Sequence, residues 1–290
     1  MTIASCLVLP EGVIFGVDST ASTDLTYGYH YLNHNQKLFQ VGEDSTFGIL
    51  TWGLSYFRET SYRTLIGYLS DEFREAFPSS VFDAANRWML KAWAAYQEAF
   101  KDEIAECREL ERKQQESAQK LSDDRSDEDD KRYLELKNEI VVGFCLGGYC
   151  PPNRTPQAFS FEFDPTLRSP PTPKPVIGEL FEGQPKFVKR IDEGIDLNLR
   201  EKIAKSPFWT GKKEDLDEIL FPEKLERVEM PIRDGIDFVH FNIYATIKAM
   251  KFSTQGQVCG GPIEIAVITT DRKFRWVRHK PWDSAIGPEL

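Results

Sequence analysis

A layered α+β fold is predicted for this chain from three observations. Apolar runs of strand length occur near both ends. Two pairs of segments carry apolar residues at helical spacing. Their order is strands, two helices, strands, two helices, strands. Helix pairs that interrupt an antiparallel sheet bury their apolar faces against it. No repeat occurs at solenoid periods, and 290 residues suit one domain with insertions.

The elements follow in order. Residues 3–9 and 13–17 are short apolar runs joined by the turn chemistry of Pro10-Glu11-Gly12, a hairpin. Residues 20–35 have no clear period and read as a loop with a short strand. Residues 37–41 and 47–51 form a second hairpin turning at Gly42-Glu43-Asp44. Gly53 then marks a strand-to-helix switch. Phe57, Leu65, Leu69 and Phe73 share one helical face, and a second helix from Ser80 carries Val81, Ala85, Trp88, Ala92, Tyr96, Ala99 and Phe100.

Residues 101–121 keep helix-forming composition but lose most apolar residues, and helix resumes over 131–138. The acidic run at 122–130 repels itself and reads as an exposed tip. Residues 101–137 are therefore expected to project as a helical hairpin. Residues 139–146 and 158–163 are strands, closed by Asp164-Pro165, and 166–175 are Pro-rich and extended. Residues 183–195 are compatible with a helix. Residues 197–231 are the least legible, with Trp209, Phe221 and Pro222 as isolated anchors. Apolar residues at 236, 239, 243, 247 and 250 predict a helix over 234–250. Residues 263–269 and 274–278 close the chain as a hairpin turning at 270–273.

Composition is globular, 41% hydrophobic and 28% charged, and the formal net charge of −10 argues against a nucleic-acid surface. No apolar run approaches the ~20 residues of a membrane helix. The N-terminus lacks the basic and apolar regions of a signal peptide. Cys6, Cys107, Cys145, Cys150 and Cys259 form no zinc-spaced set and read as reduced, buried thiols. A cytoplasmic protein is expected.

The chemistry concentrates at the N-terminus. Met before Thr is readily trimmed, so the mature chain is expected to begin with Thr2. Such a residue holds a hydroxyl nucleophile and an α-amine base titrating near ~7.7–8.0. A nearby ammonium keeps that amine neutral, because like charge depresses its pKa. Lys37, at the start of a strand, is the candidate, with Asp18 holding it from a neighbouring strand. Gly53 allows a backbone N–H to approach a developing oxyanion. Taken singly, Asp18 also reads as a strand-end cap, Lys37 as a surface lysine and Gly53 as a turn glycine.

The stretches "TIASCLVLPEGVIFGVDS", "NQKLFQV" and "GILTWG" resemble proteasome β-subunits and their bacterial relatives, the N-terminal-nucleophile hydrolases. Thr2 and Asp18 keep the family's sixteen-residue interval, Lys37 falls on the family's K-[IL]-F-x-[IV] strand, and Gly53 on its oxyanion glycine. "VVGFCLGG", "AFSFEFDP", "VIGELFEGQPKFVKR" and "TQGQVCGGPIEIAVIT" are similar to the bacterial branch called the ancestral β-subunit, or Anbu. The resemblance covers most of the chain except about 101–137 and 197–230.

It implies a four-layer αββα sandwich in a single domain over 1–290, with the insertion at 101–137 and an elaboration at 197–230. It implies a threonine-type peptidase or amidohydrolase without metal or organic cofactor, acting on a peptide or amide substrate. It implies self-assembly into rings or helical stacks, with no nucleic acid or membrane partner. A catalytically silent assembly subunit and a narrow small-amide hydrolase are the alternatives. The sequence departs from the family where an aspartate and two serines contact the threonine amine. Gly256, Cys259 and Glu179 stand at those places, and Ser19-Thr20 follows Asp18 without the usual arginine. Three extra residues precede Lys37. Ser19, Glu179 and Cys259 are thus further candidates near the amine.

Overall fold

The computed structural model describes residues 2–25, 28–120, 127–221, 225, 228–254 and 258–280. Met1, Gly256 and residues 122–126 of the acidic tip lie outside the described residues. The fold is mixed α and β, with antiparallel sheets flanked by helices.

The N-terminal hairpin is β1 (Ala4–Leu9) and β2 (Gly12–Val17), paired Ala4 to Val17 through Leu9 to Gly12. β10 (Glu179–Glu182) adds to the free edge of β1. The last hairpin, β11 (Glu264–Thr269) and β12 (Arg272–Arg278), adds to β2. The resulting order is β10-β1-β2-β11-β12.

The second sheet, β5-β6-β7-β8-β9, comprises β5 (Leu38–Gln40), β6 (Phe47–Gly53), β7 (Val142–Gly148), β8 (Gln157–Phe163) and β9 (Lys174–Pro175). Among the described residues β3 (Ala21–Leu25) and β4 (Gly28–Leu32) pair with each other alone, where the sequence suggested a loop with a short strand.

Side-chain alternation explains the packing, because successive strand residues face opposite sides. In β6, Phe47 and Ile49 face one side while Leu50 and Trp52 face the other. In β7, Phe144 and Leu146 oppose Cys145 in the same way. The first set packs under α1 (Tyr62–Glu75) and α2 (Val81–Ala99), with Phe144 meeting Trp88 and Tyr62 edge-on at 5.2 Å. The second set meets Ala4, Cys6, Val13, Phe15, Val17, Ala266 and Ile268, so the two sheets pack face to face. The outer residues of the first sheet, Ile3, Leu7, Ile14 and Val267, pack on Val239, Ile243 and Met250 of α8 (Ile232–Lys251). Strands buried on both faces explain the near-continuous apolar runs at 13–17 and 142–146.

Ser61 and Ser80 start α1 and α2 by accepting from the amides of Thr64 and Asp83 at 3.1 and 3.0 Å. Phe57 precedes α1 in a bridge to Thr60 rather than joining its helical face. α3 (Lys101–Lys120) follows α2 after a break at Phe100, and α4 (Asp127–Glu139) lies against it. Arg132 holds Glu106 through two hydrogen bonds of 2.8 and 3.0 Å. Ile104, Cys107 and Leu136 are buried at the foot of this pair, while the other described side chains are mostly polar and half-buried or exposed.

The predicted helix at 183–195 is confined to α5 (Lys186–Asp192), and β10 just before it was not anticipated. Residues 197–230 include α6 (Leu197–Ala204) and α7 (Lys213–Leu220). Among the described residues no helix is long and apolar enough to cross a membrane.

Candidate active site

The site forms where the ends of the two sheets meet. The register of β1 on β2 brings Ile3 beside Asp18. The Asp18 amide donates to the Ile3 carbonyl at 3.2 Å, and the Ile3 amide donates to Asp18 Oδ1 at 2.9 Å. Ile3 packs toward α8 and Ala4 toward the other sheet. The same alternation turns Thr2 to the inter-sheet side. Thr2 is 3% exposed.

Lys37 arrives from the opposite sheet, immediately before β5, not from a strand neighbouring β2 as the sequence suggested. Its Nζ donates to Asp18 Oδ1 at 2.7 Å and to the Thr20 carbonyl at 2.6 Å. Both side chains are buried, so Lys37 is no surface lysine and Asp18 no simple strand cap. Asp18 Oδ2 accepts from the Gly260 amide at 2.9 Å and the Thr20 amide at 3.3 Å. The carboxylate therefore takes four donors, the complement that lets a buried charge persist. Burial lowers the Lys37 pKa; Asp18 opposes that shift by charge and hydrogen bond, and Cys259 opposes it further, while Lys280 adds to it.

Gly53 ends β6, whose Thr51 amide donates to the Lys37 carbonyl at 2.9 Å. The glycine is required there: φ is +84°, and a Cβ would lie 2.3 Å from the Val141 carbonyl oxygen. Gly53 is exposed at the solvent end of its strand. A second glycine bears on Thr2 directly. At Gly183, with φ +83°, a Cβ would lie 1.9 Å from the Thr2 carbonyl oxygen.

The three further candidates separate. Ser19 stays at the site: its amide donates to the Gly260 carbonyl at 3.0 Å and its hydroxyl accepts from Lys280 Nζ at 3.2 Å. Cys259 is buried beside the Asp18–Lys37 pair, its Sγ 3.1 Å from Met250 Sδ. Burial and the Asp18 charge push its thiol up to about 12, against the pull of Lys37.

Glu179 goes elsewhere. It stands opposite Leu7 in the β1–β10 register and accepts from Asn242 Nδ2 of α8 at 2.9 Å. Leu7 is five residues along from Thr2, roughly 16 Å of strand. The residue opposite Ala4 is Glu182. Burial pushes its carboxyl up, Lys189 draws it back and Glu162 raises it again.

Sequence reasoning missed the Gly260 amide, the Thr20 carbonyl, Gly183 and Lys280. The adjacent glycines of "CGGP" were the one available signal for a close backbone approach.

No family model matches the chain, and none of the curated proteins does. Solved structures do. Anbu from Hyphomicrobium sp. strain MC1 aligns over 97% of this chain and 89% of its own, with a TM-score of 0.51 and 12% identity. Its Gly-1 mutant aligns over the same shares with a TM-score of 0.50 and 11% identity. Anbu, the ancestral β-subunit, from Yersinia bercovieri aligns over 96% and 88%, with a TM-score of 0.50 and 10% identity. Over nearly its whole length, and with no more than distant sequence identity, this chain has the fold of the proteasome-like ancestral β-subunits.

Proposed function

We propose that this chain is an N-terminal threonine amide or peptide hydrolase of the proteasome β type, with Thr2 as nucleophile once Met1 is removed. The observation that carries this reading is the sharing of Asp18 Oδ1. That one oxygen accepts from Lys37 Nζ and from the amide of Ile3, the residue next to Thr2. A buried ammonium is thereby tied one residue from a threonine expected to carry its own base.

In the proposed reaction Thr2 Oγ bonds to the substrate carbonyl carbon and its proton passes to the Thr2 α-amine. The Gly53 N–H stabilises the oxyanion. The C–N bond breaks as the leaving amine takes the proton back, leaving an ester on Thr2. Water then adds to that ester, and hydrolysis releases the acid and restores the hydroxyl. Lys37 favours the neutral amine and Asp18 seats Lys37; Ser19 and Cys259 line the same end of the sheets. The layers of the proposed αββα sandwich are the two helical faces and two packed sheets, with 101–137 as a helical-hairpin insertion. A cytoplasmic, self-assembling protein fits this reading.

A silent assembly subunit is favoured by one feature, the placement of Glu179 on Asn242 rather than near the amine. Intact mass after incubation with a threonine-directed epoxyketone or β-lactone separates the two. The hydrolase is expected to lack Met1 and to gain one adduct on Thr2, and Thr2→Ala is expected to lose both adduct and turnover. Active protein that retains Met1, or an adduct that persists in Thr2→Ala, defeats the mechanism.

A further inference from the structure

A second buried ion pair stands behind Asp18 and Lys37. Glu264, the first residue of β11, is fully buried, and the side chain of Lys280, two residues beyond β12, is only 10% exposed. Lys280 Nζ donates to Glu264 Oε2 at 2.7 Å, to the Asn35 carbonyl at 2.8 Å and to Ser19 Oγ at 3.2 Å. An ammonium has three donors, and these contacts use all of them.

The three acceptors belong to the segments that build the site. Ser19 follows Asp18, Asn35 lies two residues before Lys37, and Glu264 stands opposite Val17. The Asn35 amide also donates to the Ser19 carbonyl at 2.9 Å, so Lys280 closes over a junction that the backbone has begun. His279 Nδ1 lies 2.6 Å from Glu264 Oε1 without the alignment of a hydrogen bond, and its ring stacks on Trp276 at 4.0 Å.

Taking a lysine and a glutamate out of water is expensive, and an apolar pair of similar volume is often as stable. Stability alone is therefore a weak reason for this pair. We propose that Lys280, seated by Glu264, is a positioning residue for the Thr2 site: it clamps the Ser19 and Asn35 segments together and so aligns Lys37 on Asp18. The inference rests on the hydrolase reading of Thr2 and extends it to the end of β12. Lys280 also acts on Lys37 through charge, as a like ammonium on the far side of the junction.

The test compares wild type with Lys280→Met, Lys280→Arg, the double variant Lys280→Met/Glu264→Gln, and Lys273→Met as an exposed control on β12. The double variant leaves no unpaired buried carboxylate and is read in place of the single one should that fail to fold. Two readouts are taken on protein with native circular dichroism. One is epoxyketone labelling of Thr2, resolved into its maximal rate and its half-saturating concentration. The other is hydrogen exchange at the amides of Ser19, Thr20 and Asn35, which needs no activity.

Removal of Lys280 is expected to slow the maximal labelling rate by roughly tenfold with little change in half-saturation. It is expected to speed exchange at those amides by a similar factor. Lys280→Arg should restore most of both, and Lys273→Met should change neither. Folded variants that label and exchange like wild type overturn the proposal. Should wild type itself take no label, the hydrolase reading fails, and the exchange comparison still decides the clamp.

Discussion

Asp18→Asn is the sharpest perturbation of the site, because an asparagine fills the same volume with the wrong polarity. Asp18 accepts from Lys37 Nζ and the Ile3 amide on one oxygen and from the Thr20 and Gly260 amides on the other. An asparagine keeps one oxygen, so its NH2 group must face two of those donors. Each unsatisfied donor costs about 1–3 kcal/mol. A lysine left charged and unpaired in the interior costs about 3–5 kcal/mol.

Lys37 can escape by losing its proton. From an ordinary pKa near ~10.4 that costs roughly 4.6 kcal/mol at pH 7, or 1.36 kcal/mol per pH unit. The expected loss at pH 7 is therefore about 4–6 kcal/mol. The pH dependence has a definite sign. Burial already lowers the Lys37 pKa, and loss of Asp18 removes the charge that opposes the shift. Between the folded pKa and ~10.4 the unfolded chain binds more protons, so the variant gains stability as pH rises through that window. Its deficit against wild type should narrow between pH 7 and 10. Urea unfolding of both proteins, with an assembly-state check at each pH, measures the gap. A deficit under about 1 kcal/mol, or one that does not narrow with pH, would refute this account of the pair.

Gly183→Ala should cost about 1–3 kcal/mol through its positive φ, and it should also slow Thr2 labelling, because the new Cβ meets the Thr2 carbonyl. A stable variant labelled at the wild-type rate would remove Gly183 from the site. Cys259, with its thiol pushed up to about 12, stays protonated at pH 8, so iodoacetamide should modify it far more slowly in native than in urea-unfolded protein; equal rates on mass mapping would show an activated thiol. Replacing 109–133 with a short Gly/Ser linker spares the buried Ile104, Cys107 and Leu136. It should leave the melting temperature nearly unchanged while altering the light-scattering mass, and loss of the folded monomer would place that segment in the core.

Much of the fold was legible in local pattern. The apolar runs at 13–17 and 47–51, the helical stripe from Val81 to Tyr96 and the closing hairpin all appear where their periodicity put them. Each of these elements is decided by its own residues, since an apolar face has one way to be buried. Five elements escaped. β10 is four residues long and gains its identity from pairing with β1. β3 and β4 pair with each other and belong to neither five-stranded sheet. α6 and α7 are eight residues each, too short for a periodic stripe to stand out from a mixed polar stretch.

The candidate site divides in the same way. Thr2, Asp18, Lys37 and Gly53 were named from spacing and residue type, which a linear chain displays. What the sequence could not display was register. Glu179 stands three residues along β10 from Glu182, and only the pairing of β10 with β1 decided which of them lies opposite Ala4. The Gly260 amide and the Thr20 carbonyl are backbone groups, identical in every residue that has them, and only their arrival at Asp18 and Lys37 distinguishes them. Lys280 lies 243 positions after Lys37 in the chain. It reaches the same junction because β12 pairs with β11 and β11 with β2, and hydrogen bonds between distant strands are a property of the folded sheet that no local run of residues carries.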